Sequence, residues 1–188
     1  MRKIIQMLVI ACLVVFSTQV AFANADKETI QEGADITTVK RLAVAAPMYQ
    51  PVEEGAPDKA ALTQIEYDSS KVSRMYVVSY DEIAQNIKSA VSTDIKSLDR
   101  RQAAKTYKEN VAKYADAYVV LTVANNSRTT FFFDVYKAGT NDLLYTYEIR
   151  ANRSEKDNVE TFTNLCQQFY KHFDRAATEQ QKANSKKK

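Results

Sequence analysis

His172 is the sole histidine of the 188-residue chain, and Cys166 stands six positions before it. A thiolate beside an imidazole is a nucleophile with its base. Six positions turn an α-helix through about 240°, however, so on one helix the two side chains point in different directions. Cys166 also falls in a helical apolar stripe, where cysteine acts as a small hydrophobe rather than an activated thiolate. His172 falls on the polar side of that helix, between Phe169 and Phe173, and reads as an exposed surface residue. One histidine, one core cysteine and no close acidic cluster leave nothing at metal-ligand spacing. The acids Glu53-Glu54 read as a loop pair, and Asp81-Glu82 as a helix start, where negative charge suits the dipole. Gly33, Gly55 and Gly139 are too isolated to build a phosphate-cradling loop. The expectation is therefore no catalytic residue, no metal, no cofactor and no enzyme.

The remaining chemistry is aromatic. The chain has 11 tyrosines and 8 phenylalanines but no tryptophan. Tyr145 and Tyr147 read as core residues whose hydroxyls reach an edge. Val120, Phe132, Tyr136 and Leu144 share one face of three strands and form a candidate partner patch, unless a helix covers them. Asn125-Asn126-Ser127 and Asn152-Arg153-Ser154 match the glycosylation sequon but read as turn residues. Lys186-Lys187-Lys188 reads as a solvated basic end.

The amino terminus sets the compartment. Met1-Arg2-Lys3 is basic, Ile4 to Phe16 is apolar but for Gln6, and Ala21-Phe22-Ala23 places small residues before a cleavage point. That order predicts a cleavable signal peptide over residues 1–23. The apolar run is shorter than the roughly 20 residues of a spanning helix, so no stable membrane insertion is expected after cleavage. A competing reading makes Val9-Ile10-Ala11-Cys12 a lipidation box, but the apolar run continues past Cys12, where such a box normally closes it. Cleavage removes Arg2 and Lys3 and no acid, so the formal charge falls by two, from +3 to +1. Nucleic acid is not an expected partner. Cys166 is then the only cysteine, and the fold must rest on packing without a disulfide.

The elements that carry these residues follow from pattern. Residues 24–39 show no sustained period and read as a flexible leader. Residues 40–177 read as a single domain, and 178–188 as a disordered basic tail. Lys40 to Ala46 and Met75 to Val78 are short apolar strands, with a loop at 50–57 and a short helix at 59–72 carrying Leu62, Ile65 and Val72 inward. Ser79-x-x-Glu82 has the form of a capping box before Ile83, Ile87, Ala90 and Val91. Asp99 begins a helix striped by Ala104, Tyr107, Val111 and Tyr114. Asp157-Asn158 begins a long helix with Phe162, Leu165, Cys166, Phe169, Tyr170 and Phe173 at a 3.6-residue rhythm. Three strands rich in β-branched and aromatic residues, 118–124, 129–136 and 143–151, form a meander of two hairpins. Their alternation selects a core face of Val119, Leu121 and Val123, then Phe131, Phe133 and Val135, then Leu143, Tyr145, Tyr147 and Ile149. Matching these faces pairs Val123 with Phe131, Leu121 with Phe133 and Val119 with Val135. In the second hairpin it pairs Val135 with Leu143, Phe133 with Tyr145 and Phe131 with Tyr147. The fold class is α/β with α+β character: a mixed sheet of about five strands ending in an antiparallel three-stranded meander, covered by helices, the last of them long.

Three stretches then carry a resemblance. Arg41 to Pro47, Tyr114-Ala115-Asp116-Ala117-Tyr118-Val119-Val120, and Phe133 through Val135, Gly139 and Leu143 to Tyr147 resemble the amino-terminal domain of TolB, the periplasmic domain of the curli secretion channel subunit, and the lipoprotein activators of penicillin-binding proteins. The likeness spans about residues 40–177. The chain departs from the group at Leu121-Thr122-Val123, where many members have a glycine, and no propeller repeats follow. The resemblance implies an envelope domain that docks to another envelope protein, and it assigns no partner-binding residues here. Two expectations follow: a non-enzymatic, periplasmic or secreted docking module of an envelope assembly or transport system, or a carrier of a small apolar or glycan ligand.

Overall fold

The computed structural model describes residues 26–125 and 127–186; the signal-peptide reading over 1–23, Cys12 included, lies outside them. Six strands make one mixed sheet: β1 (Asp26–Ile30), β2 (Arg41–Val44), β3 (Tyr76–Val78), β4 (Ala117–Asn125), β5 (Thr129–Lys137) and β6 (Leu143–Arg150), in the order β1-β6-β5-β4-β2-β3. β2 runs parallel to β3 and β4, and the remaining pairs are antiparallel. Four helices are α1 (Lys59–Ser69), α2 (Tyr80–Val91), α3 (Arg100–Asn110) and α4 (Val159–Ser185). Each starts where a short polar side chain accepts an otherwise orphaned backbone amide: Asp58, Ser79, Asp99 and Asn158.

The sheet separates two cores. On the first face, Phe131, Phe133, Tyr145 and Tyr147 pack under Phe162, Phe169 and Phe173 of α4, joined by Leu62 of α1. On the second, Ala43, Val78 and Tyr118 pack under Ile83 and Ile87 of α2 and Tyr107 of α3. Asp116 ties the sheet's centre together. Its Oδ2 accepts the amides of Lys40 and Arg41 at 2.9 and 2.8 Å, fixing the start of β2 beside β4. The alanine-aspartate-alanine stretch thus has a structural role: small residues flank a carboxylate that seats the neighbouring strand.

The meander's first hairpin has the expected pairing, with Val123 opposite Phe131, Leu121 opposite Phe133 and Val119 opposite Val135. The second does not. Val135 faces Tyr145, Phe133 faces Tyr147 and Phe131 faces Ile149, two residues from the expected register. A shift of two keeps every side chain on its face. An irregularity between Val135 and Tyr136 absorbs the difference: Leu143 pairs with Tyr136, and the extra residue Leu144 turns into the first core. Leu143 is half-buried and Leu144 buried, the reverse of the alternation reading.

Both ends of the domain also differ from expectation. The stretch read as a flexible leader contains β1 and a 3-10 turn at Ile36–Thr38, with Ile36 fully buried. The helix continues through Ser185 into the stretch read as a disordered tail. These errors share a cause. Gln180 of α4 accepts the Ile36 amide at 2.9 Å and donates to the Ala34 carbonyl at 2.7 Å, a contact across more than 140 residues that no local period reports. Val72, Val91 and Ala104 are exposed rather than inward.

Candidate functional site

Helices α2 and α3 cover only the β3-β2-β4 side of the second face, whereas the helix packing on β6 comes from α4, on the first face. On the second face beyond that cover, Thr122 of β4, Phe132 and Asp134 of β5, and Thr146 and Glu148 of β6 are all half-buried. Phe132 packs in neither core. Beside it, burial raises the Asp134 carboxyl above its ordinary value. At one margin Arg150 and Glu148 form an ion pair at 2.6 Å.

Where α3 meets this wing the surface sinks into a cleft of about 560 Å³. Its floor is built of tyrosines that pack in sequence. Tyr80 stacks on Tyr107 at 5.9 Å, Tyr107 meets Tyr118 edge-on at 5.9 Å, and Tyr118 stacks on Tyr136 at 5.4 Å. The inner rings are fixed by hydrogen bonds: Tyr107 donates to the Val44 carbonyl and Tyr118 to the Asn141 side chain, each at 2.8 Å. Burial raises the Tyr118 hydroxyl to about 12, with Tyr136 adding to the shift. Both inner tyrosines are thus neutral donors.

The rim is cationic. Lys59, Lys96, Arg100, Arg101 and Lys108 line the cleft, and no acidic residue does. Lys96 pairs with Asp81 at 2.8 Å, and Lys108 stands over the Tyr136 ring at 5.8 Å. Among the described residues, no carboxylate pairs with Lys59, Arg100 or Arg101. Burial and then the Arg100 charge lower the Lys59 amine. The two arginines occupy the first turn of α3, directly after the N-cap carboxylate of Asp99, which accepts the Arg101 amide at 2.9 Å.

The structure brings Val120 and Tyr136 together in the cleft, leaves Phe132 beside it on the same face, and removes Leu144 to the opposite core. Ala104 and Tyr107 were read only as a helix stripe, and Lys59, Tyr80, Arg100 and Arg101 carried no site signal in the sequence. His172 is also misplaced by the sequence reading. Its side chain is only 20% exposed, with Nε2 3.1 Å from Asp26 and Nδ1 3.3 Å from Glu28. Arg175 bonds the same Glu28 at 2.9 Å, and Tyr145 and Tyr147 donate to Glu28 and Asp26. The tyrosines do reach an edge, as expected, and the group clasps β1 to α4. Cys166 is fully buried, and burial followed by the nearby Glu66 pushes its thiol well up. Glu66 is itself fully buried, with neither carboxyl oxygen hydrogen-bonded.

The molecule is thus an α+β domain with two helical covers and a partly bare sheet wing. Searches of family models and of curated proteins return no match. Among solved structures, the chain overlays PelC from Paraburkholderia phytofirmans, solved as a dodecamer, with a TM-score of 0.45 and 8% identity over 81% of this chain and 98% of that one. It overlays the LpoB C-terminal domain from Escherichia coli with a TM-score of 0.44 and 17% identity over 64% of this chain and 89% of the other. At these scores the likeness concerns the arrangement of the backbone.

Proposed function

We propose that the protein is an exported, non-enzymatic accessory of the cell envelope that docks another envelope protein through the bare wing of its sheet. The observation that carries this reading is Phe132, an aromatic side chain that contributes to neither core yet sits among threonines and charges on an open face. Strand preference accounts for part of an aromatic residue there, and a partner would bury the area the monomer leaves exposed. The signal-like amino terminus supplies the compartment, and the chain is expected to begin at Asn24 after export.

Two experiments test the reading. Intact-mass measurement on natively exported protein should give a chain lacking residues 1–23; a retained signal or a lipidated Cys12 would refute the processing step. The mature protein should then retain a discrete partner from envelope extract, and Phe132→Thr should lose that partner while melting within about 4 °C of the wild type. Equal retention by the two forms would contradict docking through this face.

A further inference from the structure

The cleft beside α3 is separate from the docking wing, and its chemistry asks for a different occupant. Three cationic side chains, Lys59, Arg100 and Arg101, converge on it without a carboxylate partner among the described residues. Arg100 lies close enough to Lys59 to disfavour the charge on its amine, after the effect of burial. Five cationic side chains share this rim and no acidic residue lines it, so the cleft presents a positive field to solvent. The arrangement becomes favourable once an anion enters, because guanidinium groups bind carboxylate or phosphate oxygens through charge-assisted, paired hydrogen bonds. The floor beneath is equally specific. Tyr107 and Tyr118 are locked by their hydroxyls, while Tyr80 and Tyr136 remain half-buried at the ends of the stack. Flat apolar rings with polar edges suit a ring-shaped ligand body, and the volume of about 560 Å³ fits a small molecule.

We propose that this cleft binds a small organic anion built on a ring, a carboxylate or phosphate borne by a sugar or a nucleobase-bearing ring system. The ring lies against the accessible parts of Tyr80 and Tyr136, and the anionic group is held by Arg100, Arg101 and Lys59. The site differs from the carrier of a neutral apolar ligand in its dependence on charge. It stands apart from the docking reading as well, since Phe132 is not part of the cleft.

The test uses two matched pairs of probes on the mature protein: trigalacturonate with neutral maltotriose, and uridine monophosphate with uridine. Binding is followed by amide shifts of Ala103, Ala104 and Tyr136 in nuclear magnetic resonance titrations. At least one acid should bind about tenfold or more tightly than its neutral partner, and should weaken as salt rises. The acid that binds identifies the source, sugar carboxylate or nucleotide phosphate. The double variant Arg100→Gln/Arg101→Gln should lose about tenfold or more in affinity while melting no lower than wild type, since it removes unpaired like charges. Phe132→Thr, which adds no charge, should bind the acid unchanged, which separates this site from the docking face. Three results would overturn the proposal: neither acid shifts these amides at up to about 10 mM, the neutral partners bind equally well, or the double variant binds as the wild type does.

Discussion

Truncating Phe133 to alanine removes the side chain at the centre of the larger core. Phe133 is fully buried, stacks on Phe169 with ring centres 4.3 Å apart and planes 6° from parallel, and lies near Phe131 and Tyr147. It occupies the middle of β5, between Leu121 on β4 and Tyr147 on β6, so strands and helix together limit collapse around the void. A buried Phe→Ala change costs the transfer free energy of the ring plus a cavity term, about 3–5 kcal/mol. At a domain of this size each kcal/mol moves the melting temperature by about 2–4 °C, so the variant should melt at least about 6 °C lower. Phe132, one residue away, points to the opposite face, is half-buried and packs in neither core. Its truncation should cost about 1 kcal/mol or less. Paired urea melts of Phe133→Ala and Phe132→Ala decide the matter. If Phe132→Ala is as destabilising as Phe133→Ala, the inward and outward faces of the meander are assigned wrongly.

Three further expectations concern buried and half-buried polar or thiol groups. Glu66 is buried without a hydrogen-bond partner, and burial raises its carboxyl well above the ordinary value. The stability linked to a raised carboxyl is present in full below the unfolded value, 4.5, and is lost as pH rises toward and through the folded value. Glu66→Gln should therefore gain on wild type as pH rises from 4 to 8 in denaturant melts, and a variant-minus-wild-type stability that stays constant or falls over that range would count against a neutral buried acid. Cys166, fully buried, should resist alkylation in the native protein and react on unfolding; rapid native labelling would show the helix face to be wrong. His172→Leu keeps an apolar contact with Tyr147 but removes the links to Asp26 and Glu28. Amides of β1 should then exchange about tenfold faster, with core amides unchanged, whereas uniform exchange changes would deny the clasp its local role.

Local pattern was enough for the middle of the molecule. The capping residues Ser79, Asp99 and Asn158, the rhythm of Phe162 to Phe173 and the alternation of Val119 to Val135 act within one or two turns or strands, and the structure follows them. The failures involve partners far apart in the chain. β1 is a strand because Asp26 and Glu28 find Tyr147, Tyr145, His172 and Arg175, all more than 110 residues later. Leu144 moves to the core because an irregularity at Val135 and Tyr136 inserts one residue, which alternation cannot anticipate. The candidate site was half legible. Val120 and Tyr136 were chosen by face, but Tyr80, Lys59 and Arg100 reach the same cleft from three separate helices. Only the tertiary fold brings them together.

The most direct test of the docking claim is photo-crosslinking in intact cells. A photoreactive phenylalanine analogue at position 132 would be compared with the same group at Glu160, an exposed position at the start of the opposite helix α4. The account expects one discrete adduct with another envelope protein from position 132 and none from position 160. No adduct from 132, or the same adducts from both positions, would contradict docking through the bare wing of the sheet.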